Sequence, residues 1–128
     1  MSEVRLPAPY EISALPDPRT FNHREHVRAA FELLTQHSFD EAAYRFSRLV
    51  RQLAQRAGKP EVFNQTITVA FLSVIAERMT TQVCRDFAVF AADNPDVLSA
   101  TLLHGWYRPE RLRSELARRV FVLPDRLP

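Results

Sequence analysis

The sequence predicts an all-α protein, a compact bundle of four to six helices behind an extended, Pro-rich N-terminal arm. Three observations predict it. Nine prolines, at 7, 9, 16, 18, 60, 95, 109, 124 and 128, leave two long proline-free blocks, residues 19–59 and 61–94. A proline inside a helix removes a hydrogen bond and clashes with the preceding turn, so regular structure concentrates between these positions. In the first block apolar residues recur at i, i+3, i+4 and i+7, the period of a helix with one buried stripe. No Asn-Gly or comparable hairpin signal occurs in the chain. Residues 1–19, with four of the prolines, read as the arm, and residues 20–128 as one helical domain. A chain of this length buries roughly two-thirds of its unfolded surface, enough for a core without disulfides or structural metal.

Taken in order, Val27, Ala30, Phe31 and Leu34 form the stripe of a first helix, with Asn22 as its cap and Glu25 placed for a capping box. A second box, Ser38 to Glu41, opens a helix whose stripe is Ala42, Phe46, Leu49, Val50 and Leu53. It stops at Gly58, Lys59 and Pro60, a C-cap followed by a breaker. Glu61 to Met79 is rich in β-branched residues, but nineteen residues without a turn signal, apolar around most of the circumference, suit a central helix packed on several sides. After Thr80 and Thr81, a further helix from about Gln82 to Ala92 buries Val83, Phe87 and Phe90. Shorter pieces close the chain: Asp96 to His104, the turn at Pro109 to Leu112, and a last helix from Ser114.

Composition excludes several classes. Hydrophobic residues at 46% and charged residues at 25% match ordinary globular proteins, not disordered or membrane-spanning ones. The longest weakly polar run, Ile67 to Ala76, is about half the ~20 residues a membrane span requires. With Cys84 alone there is no intramolecular disulfide, and Met1 to Tyr10 lacks the apolar core of a secretory signal, so the expected compartment is the cytoplasm. Sixteen of the seventeen basic residues are arginine, yet they are spread among fifteen acids and the net charge is only +2. This argues against nucleic acid as a partner. The exception is the Arg108 to Arg119 segment.

The chemistry concentrates in "FNHREHVRAAFELL", Phe21 to Leu34. At about 100° per residue, His23 and His26 lie about 60° apart and lead by i+4 to Val27 and Ala30, so both rings tilt toward the buried stripe. Near a helix N-terminus that disfavours their protonation, they can serve as a general base or as neutral metal ligands. The alternative is that both are half-buried, hydrogen-bonded scaffold. Tetrahedral zinc takes three or four protein ligands and this motif supplies two. Asn64 and Thr68, four apart at the start of the central helix, are placed to bring an amide and a hydroxyl to the histidines, although a helical hydroxyl commonly bonds its own i−4 carbonyl. Glu32 and Glu77 are candidate carboxylates, and His104, Trp106 and Tyr107 form an aromatic knot beside Gly105.

Three stretches resemble a widespread family of small uncharacterised bacterial helical proteins. "FNHREHVRAAFELL" resembles its His-x-x-His helix opening, "GKPEVFNQTIT" its Gly-x-Pro, aromatic, Thr-Ile-Thr segment, and "YRPERLRSELARRVFVLPD" its closing pattern, together spanning residues 21–125. The resemblance implies a fold and a shared pocket more than a reaction. In that family a histidine follows the aromatic residue, where this chain has Asn64 after Phe63. A metal site completed by that third imidazole would here have an amide instead.

The resulting expectation is a pocket between the first and central helices, in an enzyme or accessory protein of small-molecule metabolism. His23, His26 and Asn64 are the expected catalytic residues, and Phe63, Thr66, Thr68, Trp106 and Tyr107 the substrate-binding ones. His23 and His26 are also the candidate ligands of a divalent metal such as zinc, iron or manganese. A small molecule is the expected partner, with a homodimer as a further option. The competing expectation is a non-catalytic interaction or regulatory module that docks a partner through the arm and the Arg108 to Arg119 segment.

Overall fold

The computed structural model describes residues 17–19, 21–82 and 86–126. Most of the predicted arm, together with Val83 and Cys84, lies outside the described residues. Among the described residues the architecture is all-helical, with α1 (His23–Gln36), α2 (Phe39–Arg56), α3 (Gln65–Thr81), α4 (Phe87–Asp93), α5 (Pro109–Leu112) and α6 (Glu115–Arg119). Short 3-10 turns occupy Pro60–Val62, Pro95–Leu98 and Leu102–Gly105. Among the described residues no helix is long and apolar enough to cross a membrane.

α1 begins where the Asn22 Oδ1 accepts the Glu25 N–H at 3.1 Å. A two-residue connection, His37 and Ser38, then lets α2 pack on α1. Ser38 does not close the predicted second capping box. Its hydroxyl donates to Asp40 at 2.6 Å instead of accepting from the helix backbone. α2 ends as predicted: Gly58 adopts φ 74°, its N–H donates to the Gln55 carbonyl at 3.0 Å, and the Lys59 N–H reaches back to Ala54 at 2.9 Å. These two bonds are a Schellman closure, which satisfies carbonyls that the helix itself leaves open.

The central helix starts four residues later than its apolar run suggests. Pro60–Val62 makes a separate turn, Phe63 is extended (φ −62°, ψ 135°), and Asn64 then caps α3 by accepting the Ile67 N–H at 2.9 Å. At the other end Thr80 and Thr81 continue α3 rather than breaking it, with the Thr80 hydroxyl donating to the Ala76 carbonyl at 2.9 Å. Gln82 is therefore the end of α3 and not the start of the next helix, which begins at Phe87 under an Asp86 cap.

α3 packs against α1, α2 and α6, and α4 lies with Pro95–Leu98 over α1. Phe31 of α1 meets Phe87 and Phe90 of α4 at ring-centroid distances of 5.7 and 5.1 Å. The core runs through Val27, Phe31, Leu49, Leu72, Ile75 and Val97, all buried. Each such side chain removed from water contributes about 1.5–3 kcal/mol. Residues 120–126 run along this bundle as a strap. The Thr66 hydroxyl donates to the Val120 carbonyl at 2.7 Å and accepts the Val122 N–H at 3.0 Å. Arg111 Nε donates to Leu123 at 2.8 Å, and the Arg126 N–H to Trp106 at 3.0 Å.

Candidate functional site

A cavity of about 400 Å³ lies where the first turns of α1 and α3 meet the middle of α2. Its polar wall consists of His23 and His26 from α1 and of Asn64 and Thr68 at the start of α3. The apolar wall includes Val27, Ala30, Phe46, Val50, Phe71 and Ile75. Val62, Ile67 and Ala100 are its exposed members, so the cavity reaches the surface beside them. Four polar side chains thus stand in a mostly hydrocarbon space, the composition typical of small-molecule sites.

Both rings are half-buried and held from two sides. His23 packs edge-to-face on Phe71 of α3, with centroids 5.1 Å apart, and its Nε2 lies 3.1 Å from the Val97 carbonyl. His26 packs on Phe21 at 4.8 Å, with Nδ1 2.9 Å from the Asn22 carbonyl. A carbonyl oxygen only accepts, so each of these nitrogens carries the proton. In the neutral form of each ring the lone pair is then on the other nitrogen, Nδ1 of His23 and Nε2 of His26. Burial lowers the pKa of His26 below the ordinary 6.5; the Asn22 carbonyl works in the opposite direction, and the neighbouring His23 adds a smaller downward push.

The partner of His23 is itself held in place. Val97 belongs to the Pro95–Leu98 turn, and Arg78 of α3 clamps that turn by pairing with Asp96, one contact being Nη2 to Oδ2 at 2.7 Å. The guanidinium hydrogen bonds hold the Asp96 carboxyl below the usual carboxylate range. The pair is substantially exposed, so its worth is about 1 kcal/mol or less. Its effect is to position a carbonyl.

Asn64 and Thr68 are more committed than their sequence positions suggest. Asn64 Nδ2 donates to the Leu112 carbonyl at 2.6 Å while Oδ1 caps Ile67. The Thr68 hydroxyl donates to the Asn64 carbonyl, its own i−4 neighbour, at 2.7 Å. The amide therefore ties α5 to the start of α3, and the hydroxyl offers only its lone pairs to the cavity.

The remaining predicted ligand-binding residues lie elsewhere. Thr66 is fully buried and belongs to the strap. Phe63 is buried beneath Arg51, whose guanidinium carbon sits 4.5 Å from the ring centroid. Tyr107 is buried with its hydroxyl donating to Val122 at 2.8 Å, and burial pushes its pKa up. Trp106 lies outside the cavity wall and its carbonyl anchors Arg126. Neither carboxylate candidate lines the cavity: Glu32 pairs with Arg28 on α1 at 3.1 Å, and Glu77 is exposed. In the C-terminal segment Arg111 and Arg118 are engaged by Leu123 and Glu115.

The chain matches no known family model, and no curated protein or solved structure is similar to it. What the cavity can do follows from its own atoms.

Among the described residues the donors offered to a divalent ion are few. Two imidazoles face the cavity, the Asn64 amide is engaged by backbone at both ends, and among the described residues no group of three or more His, Cys, Asp or Glu side chains could hold a metal. Zinc takes three or four protein ligands. The wall contributed by α2, Phe46 and Val50, was not assigned to the site from sequence. Their i, i+4 spacing on the α2 stripe carried the signal, but the same spacing describes core residues. Nothing in the sequence pairs His23 with Val97, seventy-four residues away.

Proposed function

We propose that this protein binds a small, mostly apolar molecule in the cavity between α1, α2 and α3, and that His26 acts there as proton acceptor. On this reading it is an enzyme or accessory protein of small-molecule metabolism. The observation that supports it most is the Nδ1 contact of His26 to the Asn22 carbonyl at 2.9 Å. It leaves Nε2 as the basic atom of a ring that burial keeps neutral. A ring whose pKa lies below its ordinary 6.5 is deprotonated at neutral pH and so is in the form that accepts a proton. His23, tied to Val97, is a positioning residue that closes the wall beside it.

The test uses two substitutions and a library of fragment-sized compounds observed by ligand NMR. Val50 is half-buried on the cavity wall, so Val50→Phe fills space there with modest strain. His26→Ala removes the base. Binders of the unmodified protein are expected to lose affinity in both variants while the thermal midpoint of each stays within a few degrees. Binders that persist in both would place the ligand site elsewhere. An activity that depends on this base would decline on the acid side, with a midpoint below 6.5.

A further inference from the structure

We infer that the cavity's ligand is a neutral molecule carrying an O–H or N–H donor on an apolar body, such as an alcohol, a phenol or an amide, and not a carboxylate or an ammonium ion. The inference rests on the cavity being the binding site and adds the chemical class of its occupant.

The polar side chains of the cavity have committed all but one of their protons. His23 directs its N–H to Val97, at 3.1 Å, and His26 directs its own to Asn22, at 2.9 Å. The Thr68 proton goes to Asn64, at 2.7 Å. Asn64 gives one amide proton to Leu112 and receives the Ile67 N–H on its oxygen. What these side chains have left is two imidazole lone pairs and the lone pairs of a hydroxyl, with a second amide proton of Asn64 as the single donor. Apart from that amide proton, each is an acceptor set in a wall that is otherwise hydrocarbon. A ligand that leaves them unpaired after expelling water forfeits hydrogen bonds, and one that brings a donor restores them.

Charge then separates the donor-bearing candidates. A carboxylate would meet acceptors at both imidazoles and at Thr68, with the one Asn64 amide proton to share between its two oxygens, and the histidine proton that could rescue it is disfavoured by burial at His26. An ammonium ion has donors, but no carboxylate lines the cavity among the described residues. It would also sit by the starts of α1 and α3, the positive ends of two helices. A buried charge without a counter-charge is costly. The neutral donor avoids both penalties.

The test compares four compounds of one shape at neutral pH by calorimetry: 4-propylphenol, 4-propylanisole, 4-propylbenzoate and 4-propylbenzylamine. The phenol is expected to bind tightest, by about tenfold over the anisole, whose methyl group removes the donor, and by at least as much over the two ions. His26→Phe should bring phenol and anisole to within about twofold of each other. Thr68→Val is the second variant and should reduce the preference if His26→Phe does not fold. If the anisole or the benzoate matches the phenol, and all three are lost in Val50→Phe, the ligand class is wrong while the cavity stands as the site. If no compound binds, or if binding survives Val50→Phe, both readings fail.

Discussion

At His26 opposing forces act on one ring. Desolvation lowers its pKa most, the Asn22 carbonyl offsets part of this, and His23 contributes a smaller lowering. The sign of the stability effect follows. Below about pH 6.5 the unfolded chain binds a proton that the folded chain resists, so stability is full above that value and is lost as pH falls through the lower folded value. The expected outcome is a thermal midpoint that drops more steeply between pH 7 and about pH 5 in the unmodified protein than in His26→Gln. Carboxyls held low by partners, Asp96 among them, act from their ordinary value of 3.8 downward and do not enter this window. Equal slopes for the two proteins would show that the ring is not depressed.

Among the helices, α2 owes its end point to a single glycine. A Cβ on Gly58 would meet nothing within 4 Å, so the site has room for a side chain, and only the left-handed φ of 74° opposes one. Gly58→Ala is therefore expected to destabilise by about 1 kcal/mol, from backbone conformation alone. Gly58→Asn should cost less, because asparagine tolerates that region better. Chemical denaturation of the three proteins measures this, and a loss near 3 kcal/mol would mean that the closure holds more than one turn. The same helix carries Phe46 and Val50 to the cavity, so its length also sets one wall of the site.

For the molecule as a whole, the strap ties the end of the chain to its middle. Thr66 serves Val120 and Val122 together from a fully buried position. Thr66→Val keeps the shape but removes the hydroxyl, leaving the Val122 N–H and the Val120 carbonyl without their partner. The expected loss is about 1–3 kcal/mol, read as a lower urea midpoint at unchanged slope. Because Thr66 does not line the cavity, the affinity of the folded protein for 4-propylphenol should not change. A large change in that affinity would return Thr66 to the binding site. The two threonines of "TIT" thus have different duties, Thr66 in the strap and Thr68 at the cavity, two residues apart on α3.

Local information was legible in the sequence. The stripe Val27, Ala30, Phe31 specified α1, the run to Gly58 specified α2 and its end, and spacing alone turned His23 and His26 toward the buried face. These follow from helix period and backbone sterics, which act within a few residues. Tertiary structure alone decided where the protons go. Val97, Leu112 and Val120 supply carbonyls to His23, Asn64 and Thr66 across 74, 48 and 54 residues. A carbonyl is identical in every residue, so no side-chain pattern marks which one will arrive; packing of the remote segments selects it, and with it the tautomer of His23 and the strap duty of Thr66.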